Sequence, residues 1–359
     1  MHHTRWQVFG MWTSRRFRRI SLVTVVTLVS VMLPSAAATG YKGDSHVELR
    51  QIAKPYAFNF VSWEMRALSS LAREIVCGKG GATEQTKLRS QIRTVLVDNG
   101  ISIYPPIVFS LGKPPHLLVV SPREKIAYLD RRVLRQDLSL SEMERLETQV
   151  DRLGLSSLVV ELSGFGATYP TIVGDNLSLT DTINVILEEW LHQHLAFRPL
   201  GFLYLLDSVD IRQDPDVVTM AETLAGMVSQ EIGAEVRARY YQDYKQAKAS
   251  PNAPGFDFEA EMRETRRKAD AYLSQGRIEE AELYMEGRRK EFVAHGYYIR
   301  KLNQAYFAFH GIYAQDPASV SPIYEGLKQL RAESPSIKHF LYKVATMKSY
   351  AELTEALGQ

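Results

Sequence analysis

Apolar positions set out a chain of alternating helical and extended segments. Between residues 46 and 76, Ile52, Phe58, Phe60, Trp63, Leu68 and Leu71 recur largely at helical spacing, which predicts a helix. The glycine-rich stretch 78–81 breaks it, and 84–97 reads as a second helix closed by Asn99-Gly100. Two short apolar runs follow, 107–111 and 117–121. Gly112-Lys113-Pro114-Pro115 between them predicts a hairpin or sheet turn. A helix over 139–153, with Ser139 or Ser141 as cap, precedes two more strands at 158–162 and 171–173. The segment 164–170 between these strands, including Gly164-Phe165-Gly166, reads as a turn and is too short for a phosphate-binding fingerprint.

The span 179–197 is apolar on most sides. Ile183, Val185, Ile186, Leu187, Trp190, Leu191 and Leu195 surround it, which predicts a buried helix capped by Thr180 or Asp181. Arg198-Pro199-Leu200-Gly201 ends it, and 217–235 is a further helix. Beyond the Pro- and Gly-rich stretch 251–255 the chain turns helical. Helices at 259–274 and 278–294 form a hairpin about Gln275-Gly276, and 298–313 and 322–330 follow before a short tail. The hairpin has no second copy, which argues against a solenoid.

Charge and cysteine content narrow the classes. The formal net charge is +2, but residues 1–38 hold five arginines and no acid, leaving 38 basic against 41 acidic side chains beyond them. That balance excludes a global cationic surface for nucleic acid. The single cysteine, Cys77, excludes an internal disulfide and a cysteine-based zinc cluster, and reads as a packed apolar residue. Arg15-Arg16-Phe17-Arg18-Arg19, an uncharged run over 20–33 and Pro34-Ser35-Ala36-Ala37-Ala38 make residues 1–38 a signal peptide or an N-terminal membrane anchor. By the positive-inside rule the remainder is extracytoplasmic, secreted or membrane-anchored.

Buried helices seldom carry charge that is neither paired nor bound. Yet Glu188, Glu189, His192 and His194 lie within 179–197. Glu188 and His192 are four apart and share a face, with Glu189 beside them. This is one residue short of His-Glu-x-x-His, in which two histidines bind zinc and the glutamate activates water. Ala221-Glu222-Thr223-Leu224-Ala225 begins 29 residues after His192, on the next predicted helix. His194 lies off the shared face and reads as a packing residue, and Glu231 as part of a solvated face. Asn303, Tyr306, His310 and Tyr313 recur at three- and four-residue spacing and would line one face, either as packing or as an oxyanion donor.

These paired motifs resemble those of gluzincin metallopeptidases over most of residues 100–315. Ala221–Ala225 is similar to their Asn-Glu-x-x-Ala element, with Ala221 at the asparagine position. The chain is also similar to a group of exported bacterial proteins carrying His-Glu-Trp-x-His-His, Pro-Leu-Gly and Arg-Lys-Leu-Asn-Gln-Ala-Tyr-Phe-Ala-Phe. The matching stretches here are Glu188–Gln193, Pro199–Gly201 and Arg300–Phe309, with Glu188 and Gln193 at two histidine positions. The resemblance implies a zincin-like α+β fold: a small mixed or antiparallel sheet packed on an active-site helix, then a mainly helical C-terminal lobe. It divides the chain into a lobe over 39–245 and a helical lobe over 246–359. It makes His192 and Glu222 zinc ligands and Glu189 the general base, with Glu188 at the remaining ligand position; on the 303–313 face, His310 is the candidate oxyanion donor. Carboxylates bind Zn²⁺, so Glu188 can substitute, but the set becomes harder and more negative. Retention and loss of the metal both stay open. The function implied is extracytoplasmic, metal-dependent hydrolysis of a peptide or protein substrate. Its alternative is an inactive pseudo-peptidase that binds a peptide or partner, and a helical envelope scaffold is a third, more distant reading.

Overall fold

The computed structural model describes residues 44–77, 83–208, 211–244 and 255–358. The expected signal peptide or anchor, the 78–81 break, most of the 251–255 boundary and the side chain of Cys77 lie outside the described part. Its helices are α1 (Asp44–Ala53), α2 (Phe60–Cys77), α3 (Glu84–Asp98), α4 (Leu140–Asp151), α5 (Leu179–Leu195), α6 (Pro199–Ser208), α7 (Pro215–Tyr240), α8 (Phe258–Ser274), α9 (Ile278–Ala294), α10 (Gln304–His310), α11 (Ile323–Glu333), α12 (Ile337–Ala345) and α13 (Tyr350–Ala356). Its strands are β1 (Phe109–Gly112), β2 (His116–Pro122), β3 (Asp130–Leu134), β4 (Leu155–Glu161), β5 (Gly164–Phe165) and β6 (Thr171–Gly174). The protein is therefore a mixed α+β chain, mostly helical. Among the described residues no helix is long and apolar enough to cross a membrane.

The strands form two three-stranded sheets where one was expected. In the first, of order β1-β6-β5, β1 runs parallel to β6 and β5 antiparallel to it. The second, of order β3-β2-β4, is antiparallel throughout. The expected hairpin between the runs at 107–111 and 117–121 is absent, because β1 and β2 belong to different sheets. Pro114-Pro115 favour extended backbone, so the chain crosses between sheets instead of reversing. In the second sheet, Leu118, Val120 and Val159 face α1 and α4, while Val119 and Leu158 face Ala305 and Ala308 of α10. Both faces are covered, which is why these strands read as continuous apolar runs.

Other boundaries shift for local reasons. The helix expected over 46–76 is split by a 3₁₀ turn at Lys54–Tyr56, where Pro55 lacks the donor a continuing helix needs. Ser139 caps α4 in a reciprocal capping box with Glu142. The cap of α5 is Ser178, not Thr180 or Asp181: its hydroxyl accepts from the Asp181 N–H. The 298–313 helix shortens to α10. The stretch before it lays its polar groups on the second sheet, where Asn303 Nδ2 donates to the Ser157 carbonyl and Arg300 to the Val159 carbonyl, while Arg300 also pairs with Glu147 of α4.

The residues expected as one helical lobe divide between two cores. Residues 256–318, with α8 and α9, enclose Met262, Met285, Phe292 and Phe307. Ile323, Leu327, Phe340 and Leu353, from α11, α12 and α13, join instead the core of α5 and α7 around Trp190, Leu224 and Val228. The helices α5 and α7 of that core carry the candidate site residues.

Candidate metal centre

Helix α5 packs along α7 and presents Glu188 and His192 toward Glu222. His192 Nε2 lies 3.3 Å from Glu222 Oε2. One donor atom from each of Glu188, His192 and Glu222 lies within 4.8 Å of the other two. His192 is 16% exposed and Glu222 8%, so both donors are largely shielded from solvent. Donors on one tetrahedral zinc at about 2.0–2.2 Å stand roughly 3.3–3.6 Å apart, so shifts of about an ångström would bring this set onto one ion. By donor type and spacing the three residues fit a divalent cation.

A corner between α5 and α6 completes the surroundings. A Cβ on Gly201 would lie 2.1 Å from the Leu195 carbonyl oxygen, so only glycine lets α6 fold back this closely. That return brings Tyr204 over the His192 ring, with centroids 5.0 Å apart and planes 20° from parallel. The Tyr204 hydroxyl donates to Glu222 Oε1 at 2.7 Å, leaving Oε2 toward His192. Such outer partners orient ligands and hold them in one rotamer. On the far side, the Ala314 N–H donates to Thr223 Oγ1 at 3.1 Å, which pins the turn carrying Tyr313 beside Glu222. Burial, then the charges of Glu222 and Glu188, push the Tyr313 phenol well above its ordinary value. Its hydroxyl takes no hydrogen bond among the described residues.

Glu189 lies outside the trio, against β5. A Cβ on Gly164 would come 2.6 Å from Glu189 Oε1, and one on Gly166 2.6 Å from Oε2. The two glycines thus make room for this carboxylate, and the Gly166 N–H donates to it. The segment expected to be a turn is a short edge strand and a cradle. Alanine at 166 should displace the carboxylate at a cost of about 1–3 kcal/mol. Thermal unfolding checks the stability, and turnover of any peptide the wild type cleaves checks the placement. Gln193, at a histidine position of the related pattern, ties the same segment to α5. Its amide donates to the Gly166 and Thr168 carbonyls and to Thr171 Oγ1 at 2.9, 3.1 and 2.9 Å.

The other candidates are placed elsewhere. His194 stacks on Trp190 and donates through Nδ1 to the Tyr104 carbonyl at 2.6 Å. Glu231 pairs with Arg331 at the surface. His310 Nδ1 lies 3.3 Å from Asp316 Oδ2, with its ring against Tyr306. Sequence spacing did not single out Gly164, Gly166 or Tyr204 as parts of the candidate site. Their only signal was proximity to the Pro-Leu-Gly corner or to a glycine pair, and neither names a partner.

Electrostatics couple the group. Burial raises Glu188 to about 7, with the His192 charge opposing and that of Glu222 adding. Burial likewise raises Glu189 to about 8. Burial works against a charged His192, but the charge and hydrogen bond of Glu222 outweigh it and lift the ring to about 9. Burial also opposes ionisation of Glu222, yet His192 and the Tyr204 hydroxyl hold it below its ordinary value. All three raised groups bind protons more tightly folded than unfolded. Their contribution to stability is complete below 4.5 for the carboxylates and 6.5 for the ring, and is lost as pH climbs through about 7, 8 and 9. The metal-free protein should therefore melt lower at pH 9 than at pH 6. Zinc should narrow or reverse that loss, because ligands bind it deprotonated. Melting curves with chelator and with zinc across this window are the check, and a chelated protein that gains stability toward pH 9 would contradict the assignment.

Compared with known protein families, curated proteins and solved structures, the chain matches none.

Proposed function

We propose that the chain is an extracytoplasmic, metal-dependent peptide hydrolase of gluzincin type. The observation that carries this reading is the meeting of Glu188, His192 and Glu222 from two buried helices, with Glu189 held beside them against an edge strand. A bound zinc ion would supply Lewis-acid polarisation of the scissile carbonyl and acidify the attacking water. Glu189 accepts a proton from that water as oxygen bonds to the carbonyl carbon. It then returns the proton to the amide nitrogen as the C–N bond breaks. The Tyr313 hydroxyl, close to the trio and without a protein partner, is placed better than His310 to donate to the developing oxyanion. β5 is the edge of its sheet, and a peptide added along it by backbone pairing would pass Glu189.

Zinc analysis of the purified protein tests the reading. About one ion per chain is expected, falling to background in Glu222→Ala, because three ligands are the minimum set for such a site. A second reading, a pseudo-peptidase that binds peptides without cleaving them, is favoured by the His192–Glu222 pair, which balances its own charge without a cation. Metal-free wild type that takes up zinc only after Glu188→His would select it.

A further inference from the structure

Arg131, on β3, is a cation beside this acidic site with no carboxylate of its own. The arginines around it are neutralised: Arg132 pairs with Asp130 at 2.6 Å, Arg135 with Glu142 at 2.5 Å, and Arg212 with Asp214. Arg131 makes no ion pair among the described residues. It donates once, from Nη2 to the Asp207 carbonyl at 2.9 Å, and lies 5.9 Å from the Tyr128 ring centroid. Asp207 is one helical turn beyond Tyr204 on α6, and Tyr204 bonds Glu222, so the guanidinium stands one residue layer from the trio. Its charge acts on Glu222, Tyr204, Tyr128 and the buried Asp207 carboxylate, with which it forms no ion pair. The Tyr128 hydroxyl also has no hydrogen-bond partner among the described residues. A half-buried guanidinium with most donors unused binds a carboxylate through paired hydrogen bonds, and more strongly than it would in open water.

Resting on the peptide-hydrolase reading, we propose that Arg131 anchors a carboxylate of the bound peptide, selecting substrates that carry a free C-terminus or an acidic side chain next to the scissile bond. The anchor sets specificity and takes no part in bond breaking.

The test reads binding apart from turnover. Full-length, zinc-loaded protein is exposed to two pools of N-acetylated random pentapeptides, one as free acids and one as C-terminal amides. Retained peptides are identified by mass spectrometry. Wild type should retain free acids about tenfold or more over amides, which assigns the terminal carboxylate. Enrichment of Asp and Glu at one position of the amide pool assigns the side chain instead. Arg131→Gln should erase either preference, and Arg131→Lys should keep part of it. Equal retention of both pools without acidic enrichment, a preference that survives Arg131→Gln, or no retention from either pool overturns the proposal. Carboxylate-dependent retention without cleavage would sink the hydrolase reading and leave this one standing. Cleavage with no carboxylate preference would do the reverse.

Discussion

Glutamine in place of Glu189 should lower peptide turnover by about 10²–10⁴-fold while leaving the zinc content unchanged. The carboxylate is not one of the three converging donors. It stands beside them, with its oxygens where the missing Cβ atoms of Gly164 and Gly166 leave space. Burial raises it to about 8, near the pH at which a base both accepts and releases a proton readily. Glutamine has nearly the same shape and can still accept from the Gly166 N–H, so the cradle survives while the proton acceptor is lost. Removing a buried acid also removes the stability that Glu189 loses toward high pH, so the variant should melt no lower than wild type at pH 9. Turnover of a mixed peptide substrate, with metal analysis of the same sample, decides the matter. Unchanged turnover would remove Glu189 from the role of base.

Arg300→Ala should be among the most destabilising single changes outside the candidate metal centre, at about 3–5 kcal/mol. Arg300 grips both oxygens of Glu147, at 2.8 and 2.5 Å, and donates to the Val159 carbonyl at 2.8 Å. The Glu147 side chain is 5% exposed, so removing the guanidinium leaves a buried carboxylate whose remaining partners are the Val159 N–H and, at 3.9 Å, Lys301. The pair joins α4 and β4 to the segment that leads through α10 to Tyr313. A fall in melting temperature of roughly 6–15 °C is expected. The same change made in Glu147→Gln should cost much less, because the stranded charge is then absent. Equal losses in both backgrounds would show that Arg300 acts through packing alone.

The two predictions separate what local pattern reveals from what it hides. Helix α9 matches its expected span because apolar spacing and the Gln275-Gly276 break are local signals. The greasiness of 179–197 identified a buried helix because burial on most sides leaves its mark on every position. Where a partner distant in sequence decides, the pattern misleads. Ile107 to Leu111 looks like half of a hairpin until β6, some sixty residues on, supplies its parallel neighbour. Gly164-Phe165-Gly166 looks like a turn until the Glu189 carboxylate is seen to need the space. Arg131 carries no local mark until α6 folds back and sets the Asp207 carbonyl against it.

What the chain determined by itself was the identity and helical phase of Glu188, Glu189 and His192, because four residues make about one turn and a charged face on a greasy helix follows from spacing alone. Only tertiary structure decided that Glu222 reaches within 3.3 Å of His192, that Tyr204 and Tyr313 close around them, and that the last three helices join this core. The physical reason is range. Helical periodicity is set by neighbours a few bonds away, whereas the approach of α7 to α5 depends on how apolar faces far apart in sequence exclude water together.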